Sequence, residues 1–398
     1  MKHDPRVLEA ALADLERQNL RRVRTTVESF AGPDSRLVTV AGGRRLVDFS
    51  SNDYLALSRH PAVAAAMSAA AERWGAGSGA SHLVTGHFIE HDRLEEELAA
   101  YTGRERALLF STGYMANLAV ITALAGRSEL VLLDRLSHAS LIDAGLLCGA
   151  RLKRYPHVDA EAAERALAES AANATIIATD GVFSMDGDLA PLPALAASAR
   201  AHGAWLIVDD AHGLGVIGAT GRGSLEHFGL SQDDVPVLVG TLGKAFGSCG
   251  AFVAGSTSLI EFLLQKARPY IYTTALPQAV AAATRASLRI AQQESWRRQR
   301  VRTLTERFRR GAIEAGVPLG ASDTPIQPVL LGTAAAVLQA QSALMEAGFW
   351  AVAIRPPTVP RGTARLRVTL SAAHTEMQVD SLTGELGAIC NRAKAAAQ

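Results

Sequence analysis

The stretch AWLIVDDAHG, Ala204 to Gly213, decides the fold class of this sequence, because an unbroken apolar run ends abruptly in two carboxylates and a histidine. A continuous apolar run of this length is typical of a strand that is buried on both faces of a parallel sheet. Runs of the same kind alternate with helical stretches between about Leu94 and Ala275; they are ALLF, ELVLLD, ATIIAT, VPVLVGTL and AFVAG. The alternation predicts an α/β fold whose mainly parallel central sheet is flanked by helices, with ligand sites beyond the strand ends.

The segments on either side of this region follow different patterns. Before it, an amphipathic N-terminal helix precedes an antiparallel hairpin, LVTV and LVDF, which turns on Gly42 and Gly43. After it, the runs IQPVLLG, FWAVAI and ARLRVTLS alternate with helices, as in an α+β domain. We therefore predict an N-terminal helix and hairpin segment at 1–58, a large α/β domain at 59–285 and a smaller C-terminal α+β domain at 286–398.

Composition and charge describe an ordinary globular protein. Of its 398 residues, 48% are hydrophobic and 20% are charged, which is enough apolar sequence for a large buried core. Forty basic residues stand against thirty-nine acidic ones, so the formal net charge is +1. A charge this small offers no general attraction for nucleic acid or for an anionic membrane, and we expect neither as a partner.

Two local stretches suggest other interpretations. The helical stretch from Pro277 to about Arg310 carries the basic run WRRQRVRTLTERFRR, but acidic residues interrupt it and no aromatic stacking platform accompanies it. We expect a solvated helix face there. The uncharged run VLLGTAAAVLQAQSALM, Val329 to Met345, contains glycine, threonine, serine and two glutamines, so we expect a strand end and a packed helix in place of a membrane span.

The cysteines and the N-terminus favour a reducing cytoplasm. Cys148, Cys249 and Cys390 are odd in number and have no C-x-x-C spacing, so neither a disulfide framework nor a thiolate metal site is expected. The N-terminal sequence MKHDPRVLEAALADLERQ lacks the apolar segment of a secretory signal.

Polar residues at the ends of the predicted strands form a candidate site. In LLFSTGYMAN, the residues Ser111, Thr112 and Gly113 lie between a strand and a helix, where free backbone N–H groups favour an anion such as phosphate. The pattern differs from a Walker loop, since G-x-x-x-x-G-K followed by serine or threonine does not occur. Asp209 ends one strand, and Thr241 ends the next, three residues before Lys244.

A phosphate site, a strand-end carboxylate and a strand-end lysine together suit pyridoxal 5'-phosphate (PLP). Lysine forms a Schiff base with an aldehyde, and desolvation activates its amine. Asp209 would pair with the pyridine nitrogen and Thr241 would bind the phosphate, while His138, in DRLSHASL, would stack on the ring. Taken singly, Asp209 and Asp210 could also cap helices or bind magnesium, and His138 and His212 could also be buried core histidines.

One short motif points to a different class of enzyme. HFIEH, His87 to His91, satisfies the H-x-x-E-H pattern of zinc hydrolases, with carboxylates nearby for a third ligand. Five-residue patterns recur by chance, so we keep this as a remote alternative and expect no metal site.

Across nearly the whole chain the sequence resembles the α-oxoamine synthases, a family of fold-type I PLP enzymes. The segments that carry the resemblance are LRRVR, FSSNDYLALS, GAGSGASHLVTG, LEEELA, ALLFSTGYMAN, DRLSHASL, TDGVFSMDGDLAPL, VDDAHGLGVIGATGRGS, GTLGKAFG, IYTTALP and AIRPPTVPRGTARLRVTLSAAH. The beginning of the last segment, AIRPPTVP, is most similar to the members that act in biotin biosynthesis.

The resemblance assigns roles residue by residue. It implies that Lys244 holds the cofactor covalently and later acts as general base, that His138 and His212 belong to the catalytic set, and that Asp209 faces the pyridine nitrogen. The remaining cofactor-binding positions that it implies are Gly113, Tyr114, Ser184, Thr241, Thr273 and Thr274. The substrate-binding positions that it implies are Arg21, Asn52, His138, Arg355 and Thr358, with Arg355 suited to the amino-acid carboxylate.

The resemblance also implies a reaction and partners. The implied reaction joins L-alanine to a pimeloyl thioester on coenzyme A or on an acyl carrier protein, with release of carbon dioxide and the free thiol. The family forms homodimers, and Thr273 or Thr274 would reach the phosphate of the partner subunit. A sister synthase that uses glycine or serine is the near alternative, because one small pocket difference is worth only about 1–3 kcal/mol.

Overall fold

The computed structural model describes residues 5–172 and 174–397. The strands are β1 (Val27–Phe30), β2 (Leu37–Val40), β3 (Arg44–Asp48), β4 (Arg106–Phe110), β5 (Leu130–Asp134), β6 (Arg151–Tyr155), β7 (Thr175–Asp180), β8 (Trp205–Asp209), β9 (Val237–Thr241), β10 (Ala251–Gly255), β11 (Ile326–Gly332), β12 (Phe349–Trp350), β13 (Val352–Ile354) and β14 (Ala364–Thr369).

The helices follow in the same order, with one π-helical turn at His82–Gly86. They are α1 (Pro5–Arg17), α2 (Pro61–Trp74), α3 (Ile89–Thr102), α4 (Gly113–Leu124), α5 (Ala139–Leu147), α6 (Ala160–Ala168), α7 (Leu192–Ala201), α8 (Ser224–Phe228), α9 (Thr257–Lys266), α10 (Arg268–Ile271), α11 (Gln278–Gln293), α12 (Trp296–Glu314), α13 (Ala334–Glu346) and α14 (Glu376–Ala397).

A seven-stranded sheet in the order β4-β10-β9-β8-β7-β5-β6 organises the larger part of the chain. The strands from β9 to β6 are parallel, whereas β10 runs antiparallel to both of its neighbours. The prediction of a mainly parallel sheet is therefore confirmed. Because parallel strands end at the same edge, the sheet brings the polar residues that follow β5, β7, β8 and β9 to one side.

Apolar side chains cover both faces of this sheet. One cluster joins strand residues such as Val131, Ile207 and Val253 to α4, α5 and α9, and a second joins Leu132, Val208 and their neighbours to α6 and α7. Successive side chains of a strand point to opposite faces of the sheet, so each apolar run contributes residues to both clusters. The fold is thus held by two layers of helices on one buried sheet.

Strand β6 was not predicted from the sequence. Its residues RLKRY are mostly exposed, and only Tyr155 is buried. The strand lies at the edge of the sheet, where charged side chains are typical, so it lacks the apolar run that identified its neighbours.

The chain forms two compact units. One contains the residues up to Tyr54, Met185–Gly187 and the chain from Gln299 onward; the other contains Leu55–Ser184 and Asp188–Arg298. The first unit has two small sheets, β1-β2-β3-β12 and β11-β14-β13, and the second has the seven-stranded sheet. The predicted hairpin is β2 with β3, which pair antiparallel. The three predicted domain ranges stay a prediction.

The long helix predicted from Pro277 to Arg310 consists of two helices. Glu294 leaves the helical conformation with φ −99° and ψ 64°, which ends α11. Its carboxylate then accepts a hydrogen bond from Arg297 Nε at 2.7 Å, in the first turn of α12. The basic run lies on α12, where Arg307 binds Glu376 at 2.6 Å and Asp380 at 2.6 Å on α14.

The two stretches considered as possible targeting or membrane segments are helical in part. The run from Val329 to Met345 is the end of β11 followed by α13, as expected. Helix α1 is amphipathic, and all its side chains are exposed. Among the residues that the structure describes, none of the helices combines the length and the apolar character that crossing a membrane requires.

A buried histidine makes the stability of the first unit depend on pH. His374 is 1% exposed, its Nδ1 accepts a hydrogen bond from Ser371 N at 3.0 Å, and its Nε2 donates to Asp48 O at 3.0 Å. Burial, reinforced by the charge of Arg36, lowers the pKa of His374 to about 3 from its ordinary 6.5. The ring is therefore neutral in the folded protein.

We expect the free energy of unfolding to fall as the pH drops from about 6.5 toward 3. In this range the unfolded chain binds a proton at His374 that the folded chain does not, so the slope reaches about 1.4 kcal/mol per pH unit for this group. His374→Gln should flatten the slope of the urea midpoint against pH, while the same change at the exposed His202 should leave it intact. An unchanged slope in His374→Gln would show that the buried ring does not cause it.

Candidate active site

Lys244 and His212 meet where the chain leaves two adjacent parallel strands. Lys244 follows β9 by three residues and His212 follows β8 by three, and Lys244 Nζ lies 2.7 Å from His212 Nε2. The turn after Lys244 needs a glycine, because Gly247 has φ +60° and a Cβ there would lie 2.2 Å from Ser58 N. The sequence signal of a lysine among glycines thus corresponds to a tight turn that places the amine at the strand edge.

Asp209 ends β8 as a buried carboxylate with fixed oxygens. It is 7% exposed; Oδ1 accepts a hydrogen bond from Ala211 N at 3.0 Å, and Oδ2 accepts one from Asn117 Nδ2 at 2.6 Å. Asn117, on α4, also donates to Ser140 Oγ at 2.8 Å. Both carboxylate oxygens are held by these hydrogen bonds, so Asp209 presents an oriented acceptor at the end of the strand.

The neighbouring Asp210 has a structural role. Its Oδ2 accepts a hydrogen bond from Ser224 N at 2.7 Å, at the start of α8, and the residue is fully buried. Gly223 permits this approach, since a Cβ there would lie 1.9 Å from Asp210 Oδ2. Burial raises the pKa of Asp210 to about 7. The helix-cap alternative therefore describes Asp210.

His138 and Asp180 lie at the same edge of the sheet, after β5 and at the end of β7. His138 precedes α5, its Nδ1 lies 2.7 Å from Ser140 Oγ, and its ring is exposed, so it is no core histidine. Asp180, at the end of β7, accepts a hydrogen bond from His138 N at 2.9 Å. Burial, followed by the charge of Asp209, raises the pKa of Asp180 well above its usual value.

Asn117 and Asp180 were not predicted from the sequence as site residues. Asp180 directly follows the predicted strand ATIIAT, so the rule that selected Asp209 would also have selected it. Asn117 gave no such signal, because it lies inside an apolar helix and reaches Asp209 only through the packing of α4 on the sheet.

The residues predicted to bind an anion lie at the N-terminus of α4. Thr112 precedes the helix, and its Oγ1 accepts a hydrogen bond from Met115 N at 3.2 Å. A Cβ built on Gly113 would meet no atom within 4 Å, so open space adjoins the first N–H groups. The Tyr114 hydroxyl is exposed and binds Asp143, and this hydrogen bond raises its pKa.

The other predicted cofactor positions surround this edge of the sheet. Thr241 Oγ1 donates to Gly250 O at 3.2 Å, and Thr274 O accepts a hydrogen bond from Ser111 Oγ at 3.4 Å. Ser184 lies in the loop after β7, and Thr273 directly precedes Thr274.

Apart from His138, the predicted substrate-binding residues lie in the other unit; they are Arg21, Asn52, Arg355 and Thr358. Arg355 donates a hydrogen bond to Arg21 O, and Thr358 Oγ1 accepts one from Arg22 Nη2 at 3.1 Å. The Arg355 Nε is buried and has no hydrogen-bond partner within the described part of the chain. Asn52 has a different hydrogen-bond partner.

Asn52 has a partner that the sequence did not predict. Its Oδ1 accepts a hydrogen bond from Arg367 Nη1 at 3.0 Å, on β14. A guanidinium beside an amide is a common arrangement at sites for carboxylates. The structure therefore places Arg21, Arg355 and Thr358 in one neighbourhood and Asn52 beside Arg367.

The H-x-x-E-H segment caps helix α3. His91 Nδ1 accepts a hydrogen bond from Phe88 N at 2.9 Å, and its Nε2 donates to Leu276 O at 2.6 Å. Glu90, the general base of the zinc-hydrolase pattern, binds Arg285 at 2.6 Å. Although ligand atoms of His82, His87 and His91 lie within 4.8 Å of one another, both ring nitrogens of the last are engaged by protein groups. This geometry does not support the zinc-hydrolase alternative.

Comparisons with known proteins identify the family of the chain. The model of the family "aminotransferase class I and II" matches residues 44–386. An 8-amino-7-oxononanoate synthase from Methylococcus capsulatus is 61% identical over 94% of this chain and 95% of its own, and one from Stutzerimonas stutzeri is 59% identical over 94% of each.

Solved structures match over similar lengths. A serine palmitoyltransferase from S. paucimobilis with a bound PLP–myriocin aldimine has a TM-score of 0.92 and 31% identity, over 98% of both chains. An 8-amino-7-oxononanoate synthase from Francisella tularensis has a TM-score of 0.77 and 30% identity, over 88% of this chain and 99% of its own. The chain therefore belongs to the aminotransferase class I and II family, with 8-amino-7-oxononanoate synthases among its curated relatives at about 60% identity.

Proposed function

We propose that this protein is a PLP-dependent acyltransferase that condenses L-alanine with a pimeloyl thioester to give 8-amino-7-oxononanoate, carbon dioxide and the free thiol carrier, a step of biotin biosynthesis. The observation that carries the proposal is the contact between Lys244 Nζ and His212 Nε2 at 2.7 Å, beside the buried carboxylate of Asp209. The relatives named as this synthase support the choice of substrates.

The residues present fit PLP on three counts. Open space at Gly113 adjoins the start of α4, where backbone N–H groups suit a phosphate. Asp209 is a buried, doubly hydrogen-bonded carboxylate that suits a protonated pyridine nitrogen. His138 is exposed, and its ring is suited to stacking on the pyridine ring. Gly113, Tyr114, Ser184 and Thr241 complete the proposed binding set.

When bound, PLP supplies an aldehyde that lysine can hold covalently and a ring that withdraws electrons from the amino acid. Lys244 would hold this aldehyde covalently, and its Nζ would take the proton from the alanine Cα as general base. His212 holds the Lys244 amine in place at 2.7 Å. Asn117 and Ala211 donate to Asp209 and orient its carboxylate, which would face the ring nitrogen.

The remaining groups bind and orient the substrates. Arg355 is the proposed partner of the alanine carboxylate, together with Asn52, since a planar guanidinium makes two parallel hydrogen bonds to a carboxylate. Arg21 and Thr358 lie near Arg355 and are proposed to contact the acyl donor or the amino acid. The alanine Cα would then bond to the thioester carbonyl carbon as the C–S bond breaks and the thiol departs. The carboxyl group would be lost as carbon dioxide, and a proton would replace it on the same carbon.

Partners and compartment complete the proposal. We propose a homodimer in which Thr273 or Thr274 of each subunit reaches the phosphate bound by its partner, and an acyl donor carried by coenzyme A or by an acyl carrier protein. All three cysteines are free thiols, which agrees with a reducing compartment such as the cytoplasm.

A second candidate is a sister synthase that uses serine, because solved serine palmitoyltransferases match nearly the full chain at 31% identity. The two candidate functions are distinguished by the visible absorption spectrum of the protein loaded with PLP, which is recorded while L-alanine, L-serine or glycine is added. We expect the spectrum to change at the lowest concentration with L-alanine. A stronger response to L-serine would favour the sister function, and the absence of any visible band with PLP would overturn the proposal.

We expect Arg355→Ala to raise the KM for L-alanine by about 10- to 100-fold, because a charge-assisted hydrogen bond to a carboxylate contributes about 1.5–3 kcal/mol. Steady-state kinetics with varied L-alanine measure this. The exposed Arg361→Ala is the matched control and should leave KM unchanged. If Arg355→Ala keeps the wild-type KM for L-alanine, another group binds the carboxylate.

A further inference from the structure

A histidine outside the catalytic set bridges two carboxylates at the edge of the sheet. His157 Nδ1 donates a hydrogen bond to Asp134 Oδ1 at 2.9 Å, and its Nε2 donates one to Asp188 Oδ2 at 2.9 Å. Since each ring nitrogen faces a carboxylate oxygen, both carry a proton and the ring is positively charged. Burial alone would lower the pKa of His157, but the hydrogen bonds with Asp134 and Asp188 outweigh it and raise the pKa to about 10.

The first carboxylate organises the turn that leads to His138. Asp134 is the last residue of β5, and its Oδ1 also accepts a hydrogen bond from Leu136 N at 2.7 Å. Its backbone carbonyl accepts a further hydrogen bond from Ser137 N at 3.2 Å. The turn that ends at His138 is therefore built on Asp134, and His157 holds that residue from outside the turn.

The second carboxylate lies in the loop that carries Ser184. Asp188 O accepts a hydrogen bond from Phe183 N at 2.9 Å, which closes the loop around that serine. The Phe183 ring packs edge-on against His157, with the ring centroids 4.4 Å apart. Within the described residues the Asp188 Oδ1 is buried without a hydrogen-bond partner, so this carboxylate is held through its Oδ2 contact with His157.

The backbone next to His157 is strained. Val158 has φ +50°, a left-handed conformation that β-branched residues rarely adopt. Its side chain is 37% exposed, so packing of the valine does not account for the conformation. Instead its N–H donates to Asp134 Oδ2 at 2.8 Å, which adds a second link between this segment and the turn. Strain of this kind persists where the surroundings hold it in place, and it concentrates near functional sites.

We infer that His157 is a positioning residue, which fixes the turn carrying His138 and the loop carrying Ser184 by one charged hydrogen bond to each. The inference rests on the proposed function, because both residues are proposed to contact PLP. His157 itself touches neither substrate nor cofactor in this assignment. It acts through Asp134, at the end of β5, and through Asp188, in the loop after β7.

Three replacements separate the two links. The side-chain amide of His157→Asn can replace the Nδ1 donor to Asp134, that of His157→Gln can replace the Nε2 donor to Asp188, and His157→Ala removes both. Each full-length variant is loaded with PLP, and five quantities are measured: the dissociation constant of PLP, the visible circular dichroism per bound PLP, the kcat and the KM for L-alanine, and the thermal stability. The exposed His202→Asn is the control.

We expect His157→Ala to weaken PLP binding by about tenfold, to reduce the dichroism per bound PLP, and to lower kcat by about 100-fold with KM for L-alanine changed less than about threefold. The Asn and Gln variants should each show these effects to a smaller extent, because each keeps one of the two hydrogen bonds. They test the inference if the alanine variant does not fold. If the variants lose thermal stability but keep wild-type dichroism and kcat per folded molecule, the inference is overturned and the residue is structural. If the wild-type protein itself binds no PLP, the proposed function fails, and the inference with it.

Discussion

Replacing Lys244 by alanine is expected to lower turnover by at least about 10⁴-fold, the largest effect of any single change considered for this protein. The variant loses both the amine that holds PLP covalently and the general base, and a positioned general base alone contributes about 10²–10⁴-fold. The 2.7 Å contact with His212 would be lost at the same time. Turnover is measured as product formed from L-alanine and pimeloyl coenzyme A.

A second readout separates the covalent role of Lys244 from general damage. Treating the PLP-loaded wild-type protein with borohydride should fix the cofactor on the peptide that contains Lys244, as detected by mass spectrometry, and Lys244→Ala should retain no covalent cofactor. Lys266, an exposed lysine of α9, is the matched control, and Lys266→Ala should behave as wild type in both assays. Ordinary turnover by Lys244→Ala would contradict the assignment of the lysine.

Replacing Asp209 by asparagine is expected to lower kcat by about 10³-fold. Two unit charges about 4 Å apart at an effective dielectric of 20 interact by roughly 4 kcal/mol, and each 1.36 kcal/mol in the barrier changes a rate by about tenfold. Asparagine keeps the size of the side chain but removes the charge that favours a protonated ring nitrogen. The loss should appear in kcat, because a ring that is not protonated withdraws the electrons left on the alanine Cα less strongly.

Two further variants test that the charge of Asp209 is responsible. Asp209→Glu keeps the charge at a shifted position and should lose less activity than Asp209→Asn. Asp233→Asn removes a carboxylate at an exposed position and should leave kcat unchanged. Equal losses in Asp209→Asn and Asp209→Glu would indicate that packing at this buried site, and not charge, sets the rate.

The parallel sheet and its strand-end residues could be predicted because they depend on a simple rule. Strands buried on both faces are continuous apolar runs, and their carboxyl ends share one edge of the sheet. That rule located Asp209, Thr241 and Lys244, and the structure brings Lys244 within 2.7 Å of His212 at this edge. Edge strand β6 escaped the rule, since its exposed residues RLKRY carry no apolar run.

Other features depend on contacts that no local pattern reports. Asn117 reaches Asp209 only because α4 packs across the sheet, and His157 joins two carboxylates that are fifty-four residues apart in sequence, at positions 134 and 188. Side-chain partners of this kind follow from the tertiary fold and therefore could not be read from spacing alone.

The central claim is tested most directly by identifying the product. The purified protein with PLP is incubated with L-alanine and pimeloyl coenzyme A, and in parallel with glycine and acetyl coenzyme A or with L-serine and palmitoyl coenzyme A, and each mixture is analysed by mass spectrometry. We predict that 8-amino-7-oxononanoate forms fastest, with one carbon dioxide and one free thiol per product, and that Lys244→Ala forms none. Faster condensation of glycine or L-serine, or no product from L-alanine and the pimeloyl thioester, would contradict the account.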